Sequence, residues 1–334
     1  MDPPVCPHER ADRKTVRERT TTSPDAVTEV SVASAAVTTP MPDDLPFEQA
    51  TVRAGDVELA YLALGSGPLA LCLHGYPDSA WTWRHLLPEL AAAGYRAVAP
   101  FNRGYAPSSL DPGGRYQAGA LGVDANALHQ ALGADGDAVL IGHDWGAMGA
   151  YAGATLAPQN WRRVVAAAVP PGPVVAGAFM SFDQLKLSWY MFFQLTPLAD
   201  LVVPADDFEF IRRLWQDWSP GYDADEDVAR FVACMDGPGR VEAALGYYRQ
   251  TLQPELQDPA LQDAQNGAYA LPPQPLLYLH GRTDGCMRIE VAETSGDVMA
   301  VPGSRAVMVD GAGHFLHLER PDVVNAEILS FLRE

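Results

Sequence analysis

Lysine is almost missing from this chain: Lys14 and Lys186 are the only two, against an abundance of arginine and alanine. That bias suggests a GC-rich bacterial genome. Basic residues total 23 against 42 acidic ones, a formal net charge of −19. So acidic a chain is a poor partner for nucleic acid or an anionic membrane surface. No apolar run approaches the roughly 18 residues of a membrane span. The four cysteines (Cys6, Cys72, Cys234 and Cys286) form no C-x-x-C and no evenly spaced framework. They read as reduced thiols of a cytoplasmic protein. There is no H-E-x-x-H, no P-loop and no G-x-G-x-x-G fingerprint, so the sequence implies no metal and no cofactor. No internal repeat is visible, and nothing in the sequence fixes an oligomeric state.

What is present is a chain of 334 residues, 48% hydrophobic, ample for a large core. Residues 1–45 differ from the rest. They are rich in Thr, Ser, Pro and charge and have too few large apolar side chains to offset ordering entropy, which predicts a disordered tail. The stretch Val30–Val37 superficially resembles a signal peptide, but Asp25, Glu29 and interspersed serines argue against that. From about residue 46 short apolar runs alternate with helical spacing. Strands are expected over Val57–Leu64, Leu69–Leu73, Arg96–Ala99, Ala138–Ile141 and Arg163–Val169. Helices are expected over Trp81–Gly94, Tyr116–Leu132 and Ala147–Ala157. This alternation implies an α/β fold with a mostly parallel central sheet flanked by helices. It stops at Pro170-Pro171-Gly172-Pro173. Residues 173–270 carry helical spacing and aromatic clusters without a convincing strand, and are expected to form an inserted helical cap. Residues 271–334 resume the alternation: strand Leu276–Leu279, helix Glu290–Ala300, strand Ala306–Val309 and helix Val323–Leu332. The core is therefore expected in two parts, 46–172 and 271–334, with a ligand crevice beneath the cap.

Four short motifs stand just beyond predicted strands. Gly142-His143-Asp144-Trp145-Gly146 has the layout of a nucleophile elbow, G-x-Nu-x-G, with aspartate where serine usually stands. Glycines at both ends remove Cβ atoms that would collide in so tight a turn, and the following helix N-terminus favours an anion. Taken alone, Asp144 reads equally well as a helix N-cap. Leu73-His74-Gly75-Tyr76-Pro77 follows a buried strand. In Leu279-His280-Gly281-Arg282-Thr283-Asp284-Gly285 the acid can orient a histidine, although an ordinary Asp-Gly turn explains it too. Asp310-Gly311-Ala312-Gly313-His314-Phe315 places a histidine in a loop with backbone freedom. His317, three residues on, reads as a packing or solvent-facing residue.

Nucleophile, acid and histidine, in that order and each beyond a strand's carboxyl end, is the α/β-hydrolase arrangement. Through HGYP, GHDWG, GRTDG and GAGHF, residues 47–334 resemble the epoxide hydrolase and haloalkane dehalogenase branch of that superfamily, the cap most weakly. The resemblance implies Asp144 as nucleophile, His314 as base and Asp284 as its orienting acid. The Tyr76 and Trp145 amides would form the oxyanion hole.

A carboxylate at the elbow makes chemical sense for attack on saturated carbon. Serine there would form an ether that water cannot release, whereas aspartate forms an ester. Ionised aspartate needs no base for its attack. His314 then takes a proton from the water that attacks the Asp144 acyl carbon, and the oxyanion develops beside the two amides. The substrate is thus expected to be a small molecule with an electrophilic sp³ carbon, an epoxide or an alkyl halide.

The leaving group separates those two. A halide wants N–H donors, for which Trp145 with Trp189, Trp215 or Trp218 are candidates. An alkoxide needs an acidic O–H. Tyr248-Arg249 resembles the pairing around one ring-opening tyrosine of epoxide hydrolases. At the position of the other, before Phe-Gln, stands Phe192, with Tyr190 two residues earlier. The reading is an epoxide hydrolase with Tyr248 and Tyr190 as candidate donors and Trp189, Phe192 and Phe315 as candidate substrate-binding residues. A haloalkane dehalogenase with the same triad and a non-catalytic binding protein are the alternatives.

Overall fold

The computed structural model describes residues 46–334, so the tail expected over residues 1–45 lies outside the described residues. Eight strands form one sheet: β1 (Glu48–Ala54), β2 (Val57–Leu64), β3 (Leu69–Leu73), β4 (Arg96–Pro100), β5 (Val139–His143), β6 (Arg163–Ala167), β7 (Leu276–Gly281) and β8 (Arg305–Val309). They lie in the order β1-β2-β4-β3-β5-β6-β7-β8. The β1/β2 and β2/β4 pairs are antiparallel and the other five are parallel.

The central strands are short, apolar and buried along their whole length, as LALCL, VLIGH and RVVAA show. A strand buried on both faces must be apolar at every position, not at alternate ones. The two-residue period survives in where the side chains go. Val139, Ile141, Val165, Leu277 and Leu279 join one core; Leu140, Val164, Ala166, Leu276 and Tyr278 join the core on the opposite face. Strand β1, EQATVRA, was not among the strands expected. Its polar-rich alternation fits an edge strand with one buried face and lacks the continuous apolar signal.

Helices α1 (Leu86–Ala92), α2 (Gly119–Ala131) and α3 (Trp145–Leu156) belong to the first part of the core. Between β6 and β7 lie α4 (Gly172–Ala178), α5 (Phe182–Leu187), α6 (Trp189–Gln194), α7 (Ala199–Val202), α8 (Ala205–Trp218), α9 (Asp225–Cys234), α10 (Arg240–Leu252) and α11 (Gln262–Gly267). The second part of the core adds α12 (Ile289–Ala292), α13 (Ser295–Val298), α14 (Leu316–Glu319) and α15 (Pro321–Arg333). Two expectations need correction. The helix anticipated over Trp81–Gly94 is a 3₁₀ turn, Ala80–Trp83, followed by α1. That over Glu290–Ala300 is two short helices, α12 and α13. The last helix of the expected insertion also meets the core. Gln265 in α11 accepts from the Gly119 amide, and a Cβ on Gly119 would strike the α11 backbone, so α11 is packed on the core.

The candidate nucleophile, acid, histidine and oxyanion-hole loop all lie at the carboxyl edge of this sheet. His74-Gly75-Tyr76 follows β3, Asp144 follows β5, Asp284 follows β7 and His314 follows β8. The helical insertion emerges from the same edge, after β6.

Candidate active site

Asp144 is held in a conformation that side-chain-bearing residues rarely adopt, φ 52° and ψ −119°. Such a backbone costs on the order of 1–3 kcal/mol and persists only where its surroundings impose it. Here the surroundings are glycines. A Cβ on Gly142 would collide with the Gly146 carbonyl, one on Gly146 with the Leu73 carbonyl, and one on Gly75 with the Asp144 side chain. The elbow glycines thus allow β5, α3 and the loop after β3 to meet.

That loop donates to the carboxylate: the Tyr76 amide lies 2.8 Å from Asp144 Oδ1. The loop's shape is held by His74, whose Nε2 accepts from the Asn102 amide at 3.0 Å while its Nδ1 lies 2.8 Å from the Gly75 carbonyl. Burial lowers the His74 pKa to about 4, which keeps it neutral for that double role. Burial raises the Asp144 carboxyl above its ordinary value. His314 and the Tyr76 and Trp145 amides pull it the other way.

His314 Nε2 stands 3.7 Å from Asp144 Oδ2, and its Nδ1 is 3.0 Å from Asp284 Oδ2. The other Asp284 oxygen accepts the amides of Cys286 and Met287 at 2.6 and 3.0 Å. Burial opposes a charged imidazole at His314, but the Asp284 carboxylate and the neighbouring Cys286 together outweigh it and raise the histidine well above its ordinary range. In return, burial would lift Asp284, yet the His314 charge holds it below the usual carboxylate range. The histidine loop is itself anchored, through its amide to the Trp218 carbonyl and through its carbonyl to His143 Nε2, each at 3.0 Å.

Above these groups is a narrow cavity lined by Asp144, Trp145 and Met148. Tyr190 and Tyr248 line it from the insertion. Tyr248 is 1% exposed, and its hydroxyl has no hydrogen-bond partner among the described residues. The Tyr190 hydroxyl lies 3.0 Å from Cys286 Sγ.

A family model for the alpha/beta hydrolase fold matches residues 68–321. The chain belongs to the α/β-hydrolase family. Among curated relatives it is 29% identical to Epoxide hydrolase A of Mycobacterium tuberculosis, over 79% of this chain and 90% of the relative. It is 27% identical to the AB hydrolase superfamily protein YfhM of Bacillus subtilis, over 84% and 96%. Among solved structures, Epoxide Hydrolase A from Mycobacterium thermoresistibile is 28% identical with a TM-score of 0.69, covering 86% of this chain and 98% of that one. The protein is an α/β-fold hydrolase whose relatives include epoxide hydrolases.

The hydrolase brings together Asp144, His314, Asp284, Tyr248, Tyr190, Trp145 and the Tyr76 amide. It does not bring Trp189, Phe192 or Phe315 to the cavity wall. Helix α6 is the reason for the first two: Trp189 and Phe192 are 48% and 46% exposed, while Tyr190 turns inward at 3%. Phe315 is buried behind His314, stacked on Trp215 with ring centroids 3.3 Å apart. Of the candidate halide donors, Trp145 lines the cavity and the other three do not. The Trp215 indole donates to the Pro77 carbonyl at 3.0 Å, and Trp218 is packed between the Tyr190 and His314 rings. His317 is a packing residue, 2% exposed and set against Trp83 and His143. Tyr247 donates to the Arg103 carbonyl at 2.9 Å, away from the cavity.

Sequence reasoning missed Met148, Thr251 and Cys286, all on the cavity wall. Met148 was findable, since it stands four residues after Asp144 on the same helix face. Thr251, three after Tyr248, follows the same logic. Cys286 gave no signal beyond closeness to Asp284.

Proposed function

We propose that this hydrolase opens epoxides to vicinal diols in two covalent steps, with the insertion acting as a cap. Asp144 attacks an epoxide carbon, forming an ester as the ring C–O bond breaks. The departing oxygen takes a proton from Tyr248, with Tyr190 as a second hydroxyl beside it. His314, oriented by Asp284, then removes a proton from water, which attacks the Asp144 acyl carbon. The negative charge on the former carboxylate oxygen is met by the Tyr76 and Trp145 amides. When the tetrahedral intermediate collapses, the departing diol oxygen takes the remaining proton of the attacking water, which leaves Asp144 as a carboxylate, and the proton held by His314 returns to the Tyr248 phenolate.

One observation carries this reading: Asp144 and Tyr248, whose hydroxyl has no hydrogen-bond partner among the described residues, line the same cavity. A buried hydroxyl without a partner costs about 1–3 kcal/mol, and an epoxide oxygen would satisfy it. An alkyl halide needs no such proton, and although Trp145 lines the cavity, none of Trp189, Trp215 and Trp218 joins it there as the second donor a halide would want. The relatives named epoxide hydrolases support the same choice. Diol release and halide release, assayed side by side on epoxide and haloalkane panels, test it. Diol without halide is expected; halide without diol would overturn the reading.

A further inference from the structure

Cys286 has no part in the chemistry above, yet it lines the cavity. Its backbone is fixed from two directions. The amide donates to Asp284 Oδ1 at 2.6 Å, and the carbonyl accepts from Gln184 Nε2 of α5 at 2.9 Å. The thiol therefore has a defined position between the catalytic-acid loop and the cap. From there it reaches Tyr190 of α6, Sγ to Oη 3.0 Å. The two cavity tyrosines are thus unlike: the Tyr248 hydroxyl has no partner among the described residues, and the Tyr190 hydroxyl is held by a thiol.

We infer that Cys286 is a positioning residue for ring opening, its thiol holding the Tyr190 hydroxyl where it shares the departing oxygen with Tyr248. This rests on the epoxide reading above. Sulfur suits the task because S–H is both a weak donor and a weak acceptor. It keeps the phenol in place in the free enzyme, then gives up the phenol proton to an epoxide oxygen, a stronger acceptor that gains charge as the ring opens. The S–H can then donate to Tyr190 Oη. A thiol facing an electrophile would be alkylated as its thiolate. Burial raises the Cys286 pKa and so suppresses that form.

The test is a double-mutant cycle on alkylation alone, in a His314→Gln background that stops before ester hydrolysis. Single-turnover ester formation is followed for the parent, Tyr190→Phe, Cys286→Ala, the pair, and Cys286→Ser. Loss of one hydrogen bond corresponds to roughly fivefold in rate. Each single substitution should slow alkylation by about that factor, and the pair should be no slower than either one. Cys286→Ser, which keeps a hydroxyl partner, should stay within about twofold of the parent. Substrate affinity and alkylation by any reactive alkyl halide should be unchanged. A parental rate in Cys286→Ala overturns the inference, as does a pair whose losses multiply to about 25-fold. If no ester forms even in the parent background, the epoxide reading itself fails; an ester with independent losses sinks only the role of Cys286.

Discussion

Replacing Tyr248 by phenylalanine should separate proton donation from packing. The ring makes edge contacts with Trp145 and Tyr76 at centroid distances of 4.8 and 5.3 Å, and phenylalanine retains these. The lost hydroxyl has no partner among the described residues, so its removal leaves no orphaned group in the free enzyme. Stability should be unchanged or slightly higher. The transition state, by contrast, loses its principal general acid, typically worth about 10²–10⁴-fold. That corresponds to about 2.7–5.4 kcal/mol of barrier. Single-turnover alkylation on an epoxide should fall by that factor, while binding of a non-reactive analogue is unaffected. Tyr247→Phe is the matched control with the opposite signature. Its hydroxyl donates to the buried Arg103 carbonyl, so losing it should cost about 1–3 kcal/mol of stability. It should leave alkylation nearly unchanged. A Tyr248→Phe enzyme that alkylates at the parental rate would refute the donor assignment. Should Tyr190→Phe then carry the large loss, the roles of the two tyrosines are reversed.

Other expected outcomes follow from the same geometry. A Cβ at Gly75 would push on the Asp144 carboxylate, so Gly75→Ala should keep the fold, by circular dichroism, and slow alkylation on the order of 10²-fold. Ester hydrolysis needs neutral His314, so its rate should rise with pH and level off once the imidazolium is lost. Asp284→Asn removes the carboxylate that raises the His314 pKa, so the rising limb should move to lower pH. Its plateau should drop on the order of 10²–10⁴-fold, because the imidazole is no longer held in the right tautomer. Stopped-flow hydrolysis of a pre-formed ester across pH reads both effects.

The order of Asp144, Asp284 and His314 was legible because each stands in a glycine-bearing turn after an apolar run, and those signals are local. The parallel strands were legible for the same reason: LALCL and VLIGH are apolar throughout. Edge strand β1 escaped because half its residues face outward and are polar. The cap was harder. Its helices are short, and which of Trp189, Tyr190 and Phe192 turns inward depends on how α6 is rotated against α10 and the Cys286 loop. That rotation is set by tertiary contacts, such as Gln194 Nε2 to Tyr76 Oη at 3.2 Å and Arg249 to the Gln194 carbonyl at 3.0 Å. Neither contact has a signature within the window of one helix. The divergence of Tyr247 from Tyr248 was legible, since adjacent helical residues point about 100° apart.

The covalent ester on Asp144 is the centre of the account, and intact-mass analysis of His314→Gln tests it most directly. After epoxide addition the protein should gain the whole mass of the epoxide and retain it, with the label on the peptide that contains Asp144. Asp144→Ala should gain nothing. Confirmed binding without any mass gain in His314→Gln, or a label on the Cys286 peptide instead, would contradict the mechanism.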